Sequence, residues 1–596
     1  MLTMPIVLTI TAHIRREKES GCINGGRTMK LSKLKELDVS RNMADIFRGY
    51  NHNLRIGENV FYDMTNLTSD NYPVLSPRRK RGIYAVPHDP QGLISKDVLC
   101  QVDGANIIMG DETIEMGLSI DKKPKNLISM GAYLVIMPDR KYLNTADTSD
   151  KGDIDAFFTT TEPTTFKLCK IDGVEYEDAV VQDAAPEEPK NMDLWIDTSS
   201  KPHTLKQYSS ANAMWASIPT TYIKISSKGI GASFSQDDGV VISDIASEGL
   251  KDLNNTMVII AKGDDFIVVT GILDEVTTQE TPITVKRQMP NMDFVIESGN
   301  RLWGCRYGEA VNGEIVNEIY ASKLGDFKNW NCFAGISTDS YAATVGTDGQ
   351  FTGAITHLGY PLFFKEGCMH KVYGNFPSNY QKQTTACRGV QKGCERSLAI
   401  VNEVLYYKAR SGVCAYDGSL PTEISTAFGE ETYHNAVAGS LGNKYYISMS
   451  DANEMWHMFV YDTLKGMWHR EDDTQAVTFC THKGDLYYID YADKQIKTVR
   501  GTGVEEALPI KWSAVTGIIG TDSPDKKYIS RMDVRMSLQA GSRVSFYAEY
   551  DSSGDWEYLF TMDGISLQTF AVPIRPYAHQ DCGIWRGEDL LNLQKR

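Results

Sequence analysis

A short aromatic pattern that recurs at near-constant spacing constrains the fold of this chain more than any other feature. Between residues 290 and 500, a turn pair is followed by an aliphatic or basic residue and then by one or two aromatic residues. The five copies are Gly299–Trp303, Gly359–Phe364, Asn402–Tyr407, Gly442–Tyr446 and Gly484–Tyr488. The marker residues Leu302, Leu362, Leu405, Lys444 and Leu486 are separated by 60, 43, 39 and 42 residues. Three of these four steps match the ~40 to 50 residues of a four-stranded propeller blade.

A second strand follows the aromatic strand in several copies, as in Val413–Gly418 and Phe459–Asp462. Each copy therefore predicts a hairpin whose aromatic side chains pack between neighbouring blades. Two further blade-like segments lie upstream, at Asp97–Gly104 and Met130–Ile136. Alternating aromatic residues also occur in β-sandwiches, but the near-constant spacing favours an all-β protein built on a β-propeller of about seven blades.

The other segments suggest additional β-rich domains around the blades of residues 91–149 and 291–504. Thirty Tyr, 20 Phe and 9 Trp beside 49 Gly favour strands and tight turns. Residues 150–290 interrupt the blades with their own strands and a short helix predicted at Ser243–Leu253, which indicates an inserted β-rich domain. Alternating apolar residues around Met532 and Val544 predict a C-terminal β-sandwich with an irregular tail in residues 505–596.

The N-terminal ninety residues show no sustained period. Residues 29–90 predict an extended arm with the first strands, and arms of this kind often hold assemblies together. Residues 1–28 are interpreted as an upstream extension that is either non-native or disordered, because the codons for Gly25–Arg27 can spell a ribosome-binding sequence ahead of Met29. The apolar run Pro5–Ala12 is too short for a membrane span and lacks the flanks of a signal peptide.

The formal net charge of -16 argues against a protein that grips nucleic acid, since phosphate contacts need clustered Lys and Arg. The negative charge is consistent with an acidic channel through which DNA slides. It is also consistent with an acidic surface that only keeps a large protein in solution. The dense basic cluster Arg78, Arg79, Lys80 and Arg81 stands out against this background. It is a candidate contact to DNA or to an acidic neighbouring subunit, and a solvated turn after Pro77 remains an equal alternative.

A search for catalytic motifs finds no G-x-S-x-G elbow, P-loop, HExxH or Rossmann fingerprint. Asp417, Asp462 and Asp490 follow hairpin strands, so they are either carboxylates gathered for glycoside cleavage or turn residues that bind their own backbone. The turn interpretation is favoured. The four histidines of the later blades and the eleven scattered cysteines lack metal-ligand spacing. The sequence therefore predicts a protein that is not an enzyme, with no catalytic, cofactor-binding or metal-binding residue.

Three aromatic residues of the inserted domain, Trp195, Tyr208 and Trp215, are candidates for contact with host glycans. Large aromatic residues more often belong to a hydrophobic core, and this alternative is favoured for all three.

Four segments resemble proteins encoded in the tail modules of phages and prophages of Gram-positive gut bacteria. They are Asn66–Gly82 (NLTSDNYPVLSPRRKRG), Leu127–Thr145 (LISMGAYLVIMPDRKYLNT), Asn300–Gly308 (NRLWGCRYG) and Asn317–Trp330 (NEIYASKLGDFKNW). The last segment also resembles the propeller hub of short-tailed phages, the packaged-DNA stabilisation or tail nozzle proteins. The resemblance covers roughly residues 30–575.

The resemblance implies a structural virion protein of a phage tail, forming a homo-oligomeric ring below the head-to-tail connector. DNA passes through such a ring without sequence-specific binding, other tail and connector proteins are partners, and assembly takes place in the host bacterial cytoplasm. The family carries no catalytic residues to transfer. The alternatives are a receptor-binding or tail-fibre-attachment protein that recognises host glycans, and a virion-associated enzyme that degrades glycans.

Overall fold

The chain folds almost entirely into β-strands, as the aromatic and glycine-rich composition predicted. The structure is a computed structural model that describes residues 7–14, 38–44, 46–57, 59–121, 124–176, 179–199, 203–273, 277–310, 313–518, 527–536, 538, 541–564, 568–572 and 581–589. Within these residues the helical elements are four short 3-10 helices, Glu248–Leu253, Pro377–Asn379, Glu395–Ser397 and Thr426–Phe428. None of the helices in this described part is long and apolar enough to span a bilayer. Met29, the proposed start of translation, lies outside it.

Seven antiparallel sheets, here called sheets I to VII, follow one another along the chain, and each is a meander of sequential strands. Sheet I contains the strands Pro90–Ser95, Leu99–Asp103, Asn106–Met109 and Glu112–Glu115. Sheet II contains Asn126–Met130, Tyr133–Met137, Lys141–Asn144 and Lys151–Asp153. Sheet III contains Phe294–Glu297, Leu302–Glu309, Ile315–Ala321 and Tyr341–Thr344. Sheet IV contains Gly353–His357, Tyr360–Lys365, Cys368–Tyr373 and Gln381–Ala386. Sheet V contains Ala399–Val401, Val404–Lys408, Val413–Tyr416 and Thr422–Glu423. Sheet VI contains His434–Leu441, Lys444–Ser450, Trp456–Asp462 and Met467–Arg470. Sheet VII contains Ala476–His482, Asp485–Asp490 and Ile496–Thr498, with Gly82–Ala85 and Val504–Glu505 added at its edge.

The repeated aromatic pattern lies on the second strand of sheets III to VII. Successive side chains of a strand point to opposite faces, so two consecutive aromatic residues serve two different interfaces. In sheet VI, Tyr445 packs on Tyr406 of sheet V with ring centroids 5.3 Å apart. The next residue, Tyr446, belongs to a separate hydrophobic cluster that contains Tyr488 of sheet VII. In sheets IV to VII the paired aromatics therefore join a sheet to both of its neighbours, and in sheet III Leu302 and Trp303 take these two positions.

A hydrophobic cluster lies between every pair of successive sheets, and sheet VII packs against sheet I. From the I–II interface round to the VII–I interface, the clusters include Val102 with Leu134, Val135 with Leu302, Trp303 with Phe363, Phe364 with Tyr407, Tyr406 with Tyr445, Tyr446 with Tyr488, and Ile489 with Leu93. The first strands of these sheets approach one another in the same order, except that the first strand of sheet IV contacts the 3-10 helix Glu395–Ser397, which directly precedes sheet V. The seven sheets therefore form a closed cycle, and the apolar faces of each sheet are covered on both sides.

The cycle is joined by a strand from the N-terminal region. Gly82–Ala85 pairs antiparallel with Ile496–Thr498, and Val504–Glu505 then pairs with the other side of Gly82–Ala85. Segments more than 400 residues apart in sequence thus complete the same sheet. Such closure covers strand edges that would otherwise be exposed.

Residues 156–287 form the inserted β-rich region between sheets II and III. Three sheets are found there: Ala156–Thr159, Thr284–Arg287, Gly239–Ser243, Thr256–Val258; then Ala261–Lys262, Phe266–Thr270, Tyr222–Ser226, Thr164–Cys169, Thr277–Gln279; and Val180–Gln182, Leu194–Asp197, Thr204–Ser209, Met214–Ser217. A core that includes Phe166, Ile225 and Val285 belongs to this region alone. The helix predicted at Ser243–Leu253 is shorter, because Ser243 ends the β-branched strand Gly239–Ser243 and the 3-10 helix begins only at Glu248.

The two ends of the chain share their sheets. One sheet contains Asp38–Ala44, Val7–Ile14, Lys527–Met536 and Gln568–Val572, and the other contains Phe61–Thr65, Ile510–Thr516, Asp581–Asp589, Arg543–Tyr550 and Trp556–Asp563. Leu67–Thr68 and Ser76–Pro77 form a small hairpin beside them. The predicted arm of residues 29–90 thus supplies strands to several sheets, and a strand occupies Asp581–Asp589, where the sequence showed no alternation.

Candidate functional site

A cavity of about 830 Å³ lies where the first strands of the seven sheets meet. Apolar side chains of six sheets and of the residue directly before sheet V line its wall. In order from sheet I to sheet VII they are Leu93, Leu127, Val295, Ile355, Leu398, Ala438 and Phe479. Arg396 crosses this region, donating from Nη1 to the carbonyl of Val477 at 3.0 Å and from Nη2 to the carbonyl of Pro124 at 3.1 Å. The guanidinium therefore ties the segment before sheet V to sheet VII and to the segment before sheet II.

The carboxylates at this cavity are Asp293, Glu297 and Glu395. Burial raises the pKa of Asp293, although its carboxylate accepts a hydrogen bond from the backbone N–H of Tyr307 at 2.8 Å. Glu297 accepts the backbone N–H of Asn300 at 2.9 Å and so closes the turn between the first two strands of sheet III. These two side chains are engaged in local backbone contacts at the cavity edge.

The aspartates that follow hairpin strands bind their own turns. Asp417 Oδ1 accepts the N–H and the hydroxyl of Ser419, and Asp462 Oδ1 accepts the N–H groups of Leu464 and Lys465. Asp490 accepts the N–H of Ala492 and pairs with Lys497 at 2.7 Å. The favoured sequence interpretation, that these aspartates stabilise turns, agrees with these contacts.

The basic cluster of residues 78–81 lies between the N-terminal strand Gly82–Ala85 and the segments that follow sheets VI and VII. Arg81 is 1% exposed and pairs through Nη2 with Glu471 at 2.6 Å and Asp472 at 3.2 Å. Arg78 pairs with Asp472 at 3.2 Å and with Glu506 at 3.4 Å. We call this network, formed by Arg78, Arg81, Glu471, Asp472 and Glu506, the arginine clasp.

The other two members of the run differ from each other. Lys80 is buried and donates from Nζ to the carbonyl of Glu506 at 2.8 Å, which adds a further link to the clasp. Arg79 is exposed, and its guanidinium makes no hydrogen bond within the described residues. Of the four basic residues proposed as a contact to DNA or to a neighbouring subunit, Arg79 is therefore the one that the structure leaves accessible.

The clasp changes the acidity of its carboxylates. Burial alone would raise the pKa of Asp472, but the adjacent charges of Arg81 and Arg78 hold it well below its ordinary value. Asp472 therefore remains ionised and pairs with both arginines, and Glu471 and Glu506 supply the further negative charge. An ion pair of this kind fixes the relative positions of three chain segments.

The aromatic residues proposed for glycan contact lie together on one sheet of the inserted region. Trp195 and Trp215 have ring centroids 5.4 Å apart, and Tyr208 lies 5.3 Å from Trp215. Trp195 is 5% exposed, donates from Nε1 to the carbonyl of Gln182 at 2.9 Å and is covered by Lys206 Nζ at 4.5 Å from its ring. Tyr208 and Trp215 are half-buried and present part of their rings at the surface.

Among the described residues, no group of three or more His, Cys, Asp or Glu is placed to hold a metal ion. The four histidines of the later sheets make separate contacts. His457 pairs with Asp451 at 3.2 Å, and His482 bonds Ser95 at 2.8 Å. The buried His469 lies 3.9 Å from Glu471, and the backbone carbonyl of His434 accepts the hydroxyl of Ser450 at 3.2 Å. The nine cysteines in this part of the chain are free thiols.

Sequence reasoning missed the acidic partners of the clasp and the cross-brace of Arg396. Glu471 and Asp472 lie about 390 residues from Arg81, and no local pattern marks them. A second cavity, of about 450 Å³, adjoins the clasp and was also not predicted. The sequence signal that pointed toward this region was the density of charge at residues 78–81.

Comparisons with known proteins give little further guidance. No protein-family model and no curated protein matches the chain. Among solved structures, a glycoside hydrolase is similar over 49% of this chain and 94% of its own, at 10% identity and a TM-score of 0.18. A Trypanosoma rangeli sialidase in complex with sialic acid is similar over 86% of this chain and 96% of its own, at 8% identity and a TM-score of 0.18.

These likenesses correct one expectation. The sequence analysis predicted that the chain is not an enzyme, whereas the solved structures named above are enzymes, so that prediction is contradicted and is not carried forward. The likeness itself is too weak to argue for any particular activity of this chain.

Proposed function

We propose that this chain is a seven-bladed β-propeller protein of a bacteriophage tail, acting in a hub or nozzle ring below the connector. Sheets I to VII are the blades of this propeller, with residues 156–287 inserted between the second and third. The observation that carries the proposal is the closed cycle, which an N-terminal strand and the arginine clasp join to the C-terminal sheets. The resemblance of four segments to phage tail proteins supports the assignment to a virion.

A closed cycle of sheets is suited to a mechanical role. Each blade is packed on both faces, and the clasp ties residues 78–81 to the segments after blades six and seven. Closure leaves few free strand edges, which gives a rigid wall that does not depend on a bound partner. We place this wall in the virion tail, after assembly in the host cytoplasm.

The dimensions of the central cavity decide where DNA passes in this proposal. A volume of 830 Å³ corresponds to a cube with an edge of roughly 9 Å, whereas the major groove of duplex DNA alone is about 12 Å wide. Arg396 also spans this cavity. The DNA channel of the proposed ring is therefore enclosed between copies of the chain and does not run through the propeller axis.

Imaging of the purified chain and of the virions that contain it tests the proposal. The expected result is a closed ring of copies around an open axis, located on the tail axis of the virion. A chain that remains monomeric at micromolar concentration, or labelling on peripheral appendages, would contradict it. Mass photometry on the same preparation gives the number of copies independently of the images.

A second candidate function is recognition of host glycans by the inserted region. The observation that favours it is the partly exposed pair Tyr208 and Trp215 beside the edge strand Met214–Ser217, since aromatic faces bind sugar rings. Trp195 is excluded from direct contact by its burial. Binding to host surface polysaccharide is expected to weaken at least tenfold in Trp215→Ala if this function holds, and unchanged binding would end it. If new reducing ends appear in the polysaccharide during the same incubation, the inserted region cleaves the glycan and does not only bind it.

A further inference from the structure

The second cavity, here called the basic pocket, lies between sheets VI and VII and the segment of residues 68–81. Six basic residues and three acidic residues line it, within a chain of net charge -16. The basic residues are Arg78, Arg79, Arg81, Lys444, Lys465 and Arg500, and the acidic residues are Asp70, Asp462 and Glu471. Such an excess of positive charge in a recess raises the local concentration of anions.

The three carboxylates of the basic pocket are already satisfied. Glu471 pairs with Arg81 at 2.6 Å, and Asp70 pairs with Lys444 at 2.6 Å. Asp462 accepts the hydroxyl of Ser69 at 2.6 Å in addition to the N–H groups of its own turn. Asp70 also feels the charge of Arg79, which helps to lower its pKa, but the carboxylates that line the pocket are fewer than its cations.

Three of those cations have no carboxylate bonded to them in the described part of the chain. Arg79 makes no side-chain hydrogen bond there, Arg500 donates to the carbonyl of Gly484 at 3.1 Å, and Lys465 lies 4.6 Å from the ring of Tyr72. All three are exposed, so they stand where an incoming ligand meets them first. Arginine forks match the oxygen geometry of phosphate groups.

A buried donor accompanies the exposed cations. Tyr446 lines the pocket with 4% of its surface exposed, and its hydroxyl makes no hydrogen bond with any described residue. Its oxygen is not one of the fully enclosed polar atoms without a partner, so the hydroxyl can donate to a ligand that enters the pocket. The pocket thus combines exposed cations with an unpartnered donor in its interior.

We propose that the basic pocket binds a phosphate group, held by Arg79, Lys465 and Arg500 and reached by the hydroxyl of Tyr446. The volume of about 450 Å³ is larger than a single phosphate needs and lies within the range of small-molecule sites, so the group carries an organic substituent. A phosphomonoester and the phosphate backbone of DNA share this chemistry. The site does not depend on the phage assignment, because it rests on these side chains alone.

Isothermal titration of the full chain tests the proposal with three probes: inorganic phosphate, adenosine monophosphate and a 20-base DNA duplex. Saturable binding of at least one probe is expected, and binding of none of them overturns the proposal. Tightest binding of the monophosphate indicates a phosphomonoester ligand. Tightest binding of the duplex, with affinity that falls steeply with salt, indicates DNA.

Variants connect the binding to the pocket. The double substitution Arg79→Gln and Arg500→Gln is expected to weaken binding at least tenfold, and Tyr446→Phe several-fold, without a change in melting temperature. The control is Arg410→Gln, an exposed arginine outside the pocket, which should leave binding unchanged. Equal loss in the control, or full binding by the double variant, overturns the assignment to this pocket.

Discussion

At the scale of single residues, the basic run 78–81 separates what a sequence pattern can predict from what it cannot. The density of charge singled out this stretch of the chain, and it left open a contact to DNA or a subunit and a solvated turn. Arg81 is instead almost completely buried, with its carboxylate partners about 390 residues away. Spacing along a sequence gives no information on such partners, because they meet only after the cycle of sheets has closed.

The clasp makes a first prediction, on stability. Arg81→Met removes the charge but keeps an apolar side chain, so Glu471, which is 2% exposed, loses its cation. Leaving one member of a buried pair uncompensated is expected to lower the free energy of unfolding by about 3 to 5 kcal/mol. Urea unfolding measures the loss, and the control Arg79→Met, at the exposed neighbour, should change it by less than about 0.5 kcal/mol. A loss below 1 kcal/mol at Arg81 would contradict the role of the clasp.

A second prediction concerns His370, whose ring nitrogens bond Thr347 at 3.0 Å and Thr384 at 2.9 Å. Burial, helped by the charges of Lys365 and Lys382, lowers the pKa of His370 to about 4 from 6.5. Between these pH values the unfolded chain binds more protons than the folded chain at this position. Stability contributed by His370 is thus fully present above pH 6.5 and is lost as pH falls toward 4, by up to about 3 kcal/mol.

The measurement is unfolding in urea at a series of pH values from 7.5 to 4. His370→Gln should flatten the fall in stability between pH 6.5 and 4 relative to the wild type. His434→Gln, at a half-buried histidine of sheet VI, serves as the control and should retain the full slope. Identical slopes for wild type and His370→Gln would show that this ring titrates normally.

At the scale of elements, the aromatic pattern predicted the hairpins well, because strand alternation is a local property. The five copies all lie on second strands, and in the four copies with two consecutive aromatic residues the paired rings serve the two faces of the sheet. The sequence could not show that Gly82–Ala85 completes sheet VII, because its partner Ile496–Thr498 is more than 400 residues away. It also misplaced the start of the helix near residue 248, where a β-branched run continued as a strand through Ser243.

The joining strand makes a third prediction. A Cβ atom added at Gly82 would overlap the carbonyl oxygen of Thr502 and lie 2.5 Å from Thr498 Oγ1, so Gly82→Ala must displace the backbone of sheet VII. Crowding of this kind is expected to cost about 1 to 3 kcal/mol in the free energy of unfolding. Gly346→Ala is the matched control, since a Cβ there meets no atom within 4 Å. Urea unfolding compares the two, and equal stability of both variants would argue against a tightly packed junction.

At the scale of the whole molecule, the two ends of the chain are interleaved while the inserted region is nearly independent. Phe61–Thr65 pairs with Ile510–Thr516, so N-terminal and C-terminal residues share a sheet. The inserted region has its own core, and its first and last strands pair with each other, with Ala156 opposite Arg287. The interruption of the aromatic spacing indicated this insertion in the sequence, whereas the interleaving of the ends has no periodic signal.

This organisation makes the fourth prediction. Because Ala156 and Arg287 are already neighbours, replacing residues 157–286 with the two-residue turn Asn-Gly should preserve the cycle of sheets. The shortened chain loses the hydrogen bonds of Asn329 to Asp238 and to the N–H of Gly239, and it also loses the buried ion pair of Arg287 with Asp238. Because Arg287 is retained without its carboxylate partner, the free energy of unfolding is expected to fall by about 3 to 5 kcal/mol, with a lower melting temperature.

Calorimetry of the shortened chain and of the separate fragment 156–287 gives the decisive comparison. Two cooperative transitions, one for each polypeptide, are expected if the inserted region is an independent unit with its own core. A shortened chain that aggregates, or a fragment with no cooperative transition, would instead make the inserted region an integral part of the cycle. In that case the effect of Trp215→Ala on the proposed glycan binding would be compared with its effect on the melting temperature, because the inserted region and the cycle of sheets would unfold together.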